Sequence, residues 1–128
     1  MADKKIKILL IEDDSFLSGM YDTKLKLEGF DVILAEDGAK GLELAVSQGP
    51  DIILLDIILP KMDGFTALKH LKENTETKKI PVILMTNLGQ KEDVERGIAL
   101  GAQDYLVKAH FMPSEVVEKI RQYLGSGK

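Results

Sequence analysis

The sequence predicts an α/β domain: a parallel sheet, buried on both faces, built from repeated strand–helix units. Five short apolar runs recur along the chain, and each is followed by a segment of helical period. Their hydrophobicity is continuous rather than alternating, as in strands covered on both sides. A single such run could equally be buried helix, but five in alternation with helical patterns argue for βα repeats.

The runs are Ile6–Ile11, Asp31–Ala35, Ile52–Leu55, Pro81–Met85 and Tyr105–Val107. After the first, Asp14 or Ser15 can cap a helix that shows Leu17, Met20, Tyr21 and Leu25 on one face, with Gly29 past its end. Asp37-Gly38 opens the second helix, Gly49-Pro50 closes it, and Ala39, Leu42 and Val46 are expected inward. Asp63-Gly64 opens the third, with Phe65, Leu68 and Leu71 as its stripe. The polar run from Asn74 to Lys79 reads as a solvated loop. The fourth helix, Lys91–Leu100, is the weakest and is expected to be mobile, because Gly97 inside it costs about 1 kcal/mol relative to alanine. Pro113 suits the first turn of the fifth helix, and Val116, Val117, Ile120 and Leu124 form its buried stripe.

With 128 residues, 45% apolar and 30% charged, the chain reads as one ordinary globular domain. A formal net charge of -4 gives no bulk attraction to nucleic acid or anionic membrane. Without cysteine there is no disulfide, thiolate metal site or catalytic thiol. No signal peptide or membrane-spanning stretch is evident.

Asp56 ends the most apolar stretch of the chain, and the first run ends in Glu12-Asp13-Asp14. Ligands of open α/β sheets bind outside the carboxyl ends of the strands. That rule puts Glu12, Asp13, Asp14, Asp56, Thr86 and Lys108 on one rim. Two carboxylates about 4 Å apart repel by about 4 kcal/mol at an effective dielectric of about 20. Such crowding is tolerated when a cation sits among the acids or when some protonate. Taken alone, the acidic triplet is more simply a helix N-terminus favoured by the dipole. Together with Asp56 and Lys108 it points to a working site.

These residues resemble the receiver (CheY-like) domain of two-component response regulators. The motifs are Ile-Glu-Asp-Asp at 11–14, Leu-Leu-Asp at 54–56, Leu-Pro-Lys-Met-Asp-Gly at 59–64, Met-Thr at 85–86, Gly-Ala-Gln-Asp-Tyr at 101–105, and Lys108. The likeness covers nearly the whole chain, as one receiver domain over 1–128 with a structured core at roughly 5–124. It implies a flavodoxin-like (βα)5 three-layer sandwich with a five-stranded sheet of order 2-1-3-4-5. It also implies a phosphoryl-accepting switch of a two-component or phosphorelay system, not an enzyme acting on other substrates. Asp56 matches the phosphoacceptor, and Glu12 and Asp13 match the acidic pair around a divalent cation. Asp13, Asp56 and the Ile58 carbonyl would ligate the ion directly, with Glu12 acting through water. An oxygen-only set suits Mg²⁺, or Mn²⁺, better than zinc. Lys108 matches the lysine on a phosphoryl oxygen, Thr86 the hydroxyl that closes on the phosphorylated aspartate, and Tyr105 the aromatic that changes rotamer. The implied partners are a histidine kinase or histidine phosphotransfer protein and a downstream output protein or domain. The surface of helix 4, strand 5 and helix 5 is the face expected to be re-formed for output. No direct nucleic-acid or membrane contact, a cytoplasmic location, and a monomer or activation-dependent dimer complete the expectation.

Two departures stand out. Ala109 follows Lys108 where the family usually has a cis-bonded proline, so a trans bond is the energetic default. Asn87, Ile58 and Leu88 narrow the water approach, which predicts slow self-hydrolysis of the acyl phosphate. Phe16 is read as either part of a kinase-docking surface or core. Three other functions fit less well. A phosphohydrolase would want an aspartate at position 58, and a nucleotide carrier would not want an acidic first loop. A degenerate receiver would not keep Asp56, Thr86 and Lys108 together.

Overall fold

A computed structural model describes residues 5–86, 91–107 and 113–124. The elements alternate: β1 (Lys7–Ile11), α1 (Ser15–Leu27), β2 (Asp31–Ala35), α2 (Gly38–Gln48), β3 (Ile52–Asp56), α3 (Gly64–Glu73), β4 (Val82–Thr86), α4 (Lys91–Ala99), β5 (Asp104–Val107) and α5 (Pro113–Leu124). All strand pairs are parallel, and the sheet runs β2-β1-β3-β4-β5. The expected sheet order is therefore observed.

Alternate residues of each central strand serve opposite layers. Leu9, Ile11, Ile53, Leu55, Val82 and Leu84 meet Phe65, Leu68 and Leu71 of α3 and Ala45 of α2. Ile8, Leu10, Ile52, Leu54, Ile83 and Met85 meet Tyr21 and Leu25 of α1 and Val116, Val117 and Ile120 of α5. This two-sided burial is the physical reason the strands read as unbroken apolar runs.

The caps form as expected. Asp14, Asp37 and Asp63 each take a β-region conformation and accept main-chain N–H groups of the first helical turn. Gly29, at φ 93°, ends α1 in a left-handed turn, with Phe30 N–H donating to the Leu25 carbonyl across 3.0 Å.

Four expectations are corrected. Met20 is exposed rather than inward. In α2, Ala39 and Val46 face solvent, while Gly38, Gly41 and Ala45 are the buried residues. The reason is distance: a Cβ on Gly41 would collide with the Ile11 side chain, so the helix packs on its smallest residues. The loop after α3 is not wholly solvated, because Thr77 is buried and its hydroxyl donates to the Leu71 carbonyl at 2.6 Å. Gly97 is no mere weak point of α4; it is buried, and a Cβ there would strike the Leu84 side chain.

Candidate functional site

The β-ladders continue past the strands to set the rim. The Glu12 amide donates to the Ala35 carbonyl at 3.0 Å, which extends the β1–β2 pairing by one residue. The Ile57 amide donates to the Met85 carbonyl at 3.0 Å, and Asp56 stands opposite Met85 in the register. Glu12 and Asp56 are thus fixed by main-chain bonds on neighbouring strands. The two residues are 3% and 4% exposed.

The three resulting acids converge. One carboxylate oxygen from each of Glu12, Asp13 and Asp56 lies within 4.8 Å of the others. Asp14 is occupied elsewhere: its Oδ1 caps α1 by accepting from Phe16 N–H at 2.9 Å and Leu17 N–H at 3.1 Å. Its own amide donates to Glu12 Oε2 at 3.0 Å, which orients that carboxylate. The run Glu12-Asp13-Asp14 therefore divides into two converging acids and one cap. The helix-dipole reading holds for Asp14 and not for its neighbours.

Asp56 is held from the other side by the β3–α3 loop, where the Ile58 amide donates to Asp56 Oδ1 at 3.2 Å. A tight turn follows, with Met62 N–H donating to the Pro60 carbonyl at 2.7 Å across Lys61 at φ 69°. Positive φ in a lysine is strained, by roughly 1–3 kcal/mol. Gly64 then returns the chain against the end of β3, its amide donating to the Ile57 carbonyl at 2.7 Å. A Cβ at Gly64 would overlap the Asp56 carbonyl oxygen and the Ile57 Cα. Both obstacles are backbone, so only glycine fits. The sequence reading used Gly64 as a helix opener and missed this close approach; its place in a Met-Asp-Gly triplet following a strand-end aspartate was the available signal.

Thr86 is buried at the end of β4, next to the residue that pairs with Asp56. Tyr105, on edge strand β5, is 37% exposed, so it is not a core aromatic. Ile58 is 68% exposed at the rim, and Phe16 is 78% exposed, which rules out its reading as core. Lys108, with Asn87, Leu88, Ala109 and His110, lies outside the described residues.

Three carboxylates with only oxygen donors, two of them buried, match what a small hard divalent cation requires. Among the described residues this is the one group of three or more potential metal-ligating side chains brought so close. No described helix is long and apolar enough to cross a membrane.

Comparison with known proteins agrees. The family profile of the response regulator receiver domain matches residues 8–121. The DNA-binding dual master transcriptional regulator RpaA of Synechocystis is 43% identical over 118 residues, covering 92% of this chain and 48% of that protein. The transcriptional regulatory protein CpxR of Escherichia coli is 42% identical over 92% of this chain and 49% of its own length. The chain thus spans about half the length of these curated relatives. A putative response regulator from Chloroflexus aurantiacus superposes with a TM-score of 0.89 at 30% identity, covering 94% of this chain and 98% of that one. The receiver domain of a sensor histidine kinase from Pseudomonas aeruginosa, solved with a magnesium ion coordinated in its active-site cleft, gives 0.87 at 29% identity over 96% and 100% of the two chains. Sheet order, acid cluster and family match converge on one conclusion: the chain belongs to the response regulator receiver domains, the signalling modules of two-component systems.

Proposed function

We propose that Asp56 is the phosphoryl acceptor and that Glu12, Asp13 and Asp56, with the Ile58 carbonyl, hold Mg²⁺ beside it. The observation that supports this most directly is the convergence of the three carboxylates within 4.8 Å, two of them buried. A bound divalent cation would offset the repulsion between an anionic acceptor and an anionic phosphoryl group.

The chain's own residues supply position. An Asp56 carboxylate oxygen attacks phosphorus in line; the new P–O bond forms as the P–N bond to a donor phosphohistidine breaks, the bonding pair stays on that nitrogen, and the donor ring, already protonated on its other nitrogen, leaves as neutral imidazole. No separate base is needed, because the attacking group is an ionised carboxylate. Lys108, assigned by family likeness, neutralises charge on the transferred group. The Thr86 hydroxyl then donates a hydrogen bond to a phosphoryl oxygen. A charged bond of this kind contributes about 1.5–3 kcal/mol, enough to move a two-state equilibrium roughly 10–150-fold. Tyr105, already half exposed, carries that change to the surface of α4, β5 and α5.

The donor is a histidine kinase or phosphotransfer protein, and the output is a protein surface or domain. The net charge of -4 argues that the receiver itself does not contact DNA. A cytoplasmic receiver domain within residues 1–128, monomeric or dimerising on activation, fits this role. Intact mass after incubation with acetyl phosphate and Mg²⁺ tests it. One phosphoryl adduct is expected on the native chain and none on Asp56→Asn; an adduct of equal yield on the variant would overturn the assignment.

A further inference from the structure

Three residues, Glu12-Asp13-Asp14, join β1 to α1, and main-chain bonds pin both ends of the join. At the strand end the Glu12 amide donates to the Ala35 carbonyl at 3.0 Å. At the helix end the Asp14 carbonyl accepts from Ser18 N–H at 2.9 Å, and Asp14 Oδ1 accepts from the Phe16 and Leu17 amides. Asp14 takes the extended conformation of an N-cap, φ -79° and ψ 107°. Its own amide is left facing back along the chain, where it donates to Glu12 Oε2 at 3.0 Å. Asp13, which is exposed, is the single residue between the two anchors.

The bond from the Asp14 amide matters because of what surrounds its acceptor. Glu12 is buried, and one oxygen of its carboxylate lies within 4.8 Å of oxygens of Asp13 and Asp56. Like charge pushes the three apart. An N–H bond to a carboxylate is charge-assisted, and it holds Glu12 in place against that push. The donor is a peptide nitrogen, so no substitution removes it. Its aim, however, depends on how residue 14 is held, and the Asp14 side chain supplies that hold through the first turn of α1. The cap of one helix therefore steadies two of the three converging acids, Glu12 by a direct bond and Asp13 by fixing its neighbour.

We propose that Asp14 is a positioning residue for the divalent cation, acting through Glu12 and Asp13 rather than as a ligand. The proposal rests on the reading that Glu12, Asp13 and Asp56 gather that cation. Without the cap, residue 14 samples other conformations and its amide leaves Glu12 Oε2. The acids then relax away from one another in the metal-free protein, and binding must draw them back together. Loss of a residue that orients metal ligands typically weakens binding by 10- to 100-fold. Here the donor stays in the chain and only its aim loosens, so the lower end, about tenfold, is expected.

The test is calorimetric titration with Mg²⁺ at fixed ionic strength, on native protein and on variants that separate charge from capping. Asp14→Asn and Asp14→Ala both remove the charge, but asparagine still caps and alanine does not. Asp14→Gly keeps most of the helix stability that alanine loses while also lacking the side-chain acceptor, so a metal deficit there is not a folding defect. Asp37, which caps α2 by accepting from Lys40 N–H at 2.8 Å, supplies the control pair, Asp37→Asn and Asp37→Ala. Positioning predicts that Asp14→Ala and Asp14→Gly bind Mg²⁺ about tenfold more weakly than Asp14→Asn, while the two Asp37 variants bind alike. Equal affinity of Asp14→Asn and Asp14→Gly, with the native protein binding, overturns the positioning role and leaves the metal site standing. An equal deficit in Asp37→Ala relative to Asp37→Asn overturns it too, by showing that any lost cap suffices. Absence of saturable binding by the native protein rejects the metal site and the positioning built on it.

Discussion

Two acidic centres sit at opposite ends of the sheet, and they are built on opposite principles. At the start of β5, Asp104 is surrounded by donors. Its carboxylate accepts from Lys119 Nζ at 2.9 Å, from the Tyr123 hydroxyl at 2.5 Å and from the Tyr105 amide at 2.7 Å. Burial pushes the Asp104 carboxyl up, but the bonds from Lys119, Tyr123 and the Tyr105 amide outweigh it and leave it below the usual 3.8. The bond to Asp104, helped by burial, pushes the Tyr123 phenol up to about 12. At the carboxyl ends of β1 and β3, Glu12, Asp13 and Asp56 instead gather charge of one sign. The same residue type is tied by side-chain donors in one place and stands in a three-carboxylate cluster in the other. The difference lies in whether the fold sets a cationic and a phenolic donor beside the carboxylate or sets other carboxylates beside it.

The comparison can be broken in several ways, the largest first. Gly64→Ala should destabilise the fold by about 3 kcal/mol, because its methyl group meets the Asp56–Ile57 backbone, which cannot give way as a flexible side chain could. It should also blunt the stabilisation that Mg²⁺ gives the native protein, read as the shift in Tm with added metal. Asp56→Asn should act in the reverse sense and stabilise the metal-free protein by about 2 kcal/mol, since it relieves like-charge repulsion. A lower Tm without metal would contradict the crowded-anion account.

The same acid-to-amide change at the other centre should destabilise. Asp104→Asn is expected to lose about 1 kcal/mol at neutral pH, after screening of a partly exposed pair. The sign with pH follows from the two shifts. The depressed Asp104 carboxyl contributes fully above its ordinary 3.8 and loses that contribution as pH falls through its lower folded value. The raised Tyr123 phenol contributes fully below its ordinary 10.0 and loses that contribution as pH rises through about 12. Denaturation of native and Asp104→Asn protein should therefore differ most between 3.8 and 10.0 and converge at both extremes. The smallest effect is kinetic. Ile58→Asn should speed decay of the acyl phosphate by about fivefold, about 1 kcal/mol of barrier, by opening the apolar rim to water. An unchanged half-life would remove Ile58 from control of the phosphoryl lifetime.

Strands and caps were legible because their signals are local. An unbroken apolar run, an aspartate before a helix and a glycine after one each act within a few residues. Burial faces were less legible. In α2, Ala39 and Val46 read as inward yet are exposed; Leu42 does pack on the core, but the closest approach is at Gly41, where the Ile11 side chain leaves no room for a larger residue. Thr77 reads as loop and is core, since its hydroxyl is satisfied by a carbonyl six residues away. Gly97 looks like a defect until Leu84 is seen against it.

The sequence by itself determined the alternation of elements, the ends of the helices and the residue types gathered at the strand ends. Periodicity and capping chemistry encode these within single segments. Only the tertiary structure decided that one carboxylate oxygen each of Glu12, Asp13 and Asp56 stands within 4.8 Å of the others. Only it decided that Gly64 must lie on the Asp56 carbonyl and that Arg96 closes over Phe65. Those facts depend on where separate strands and helices meet, and such meetings are fixed by packing across the sheet rather than by neighbours along the chain.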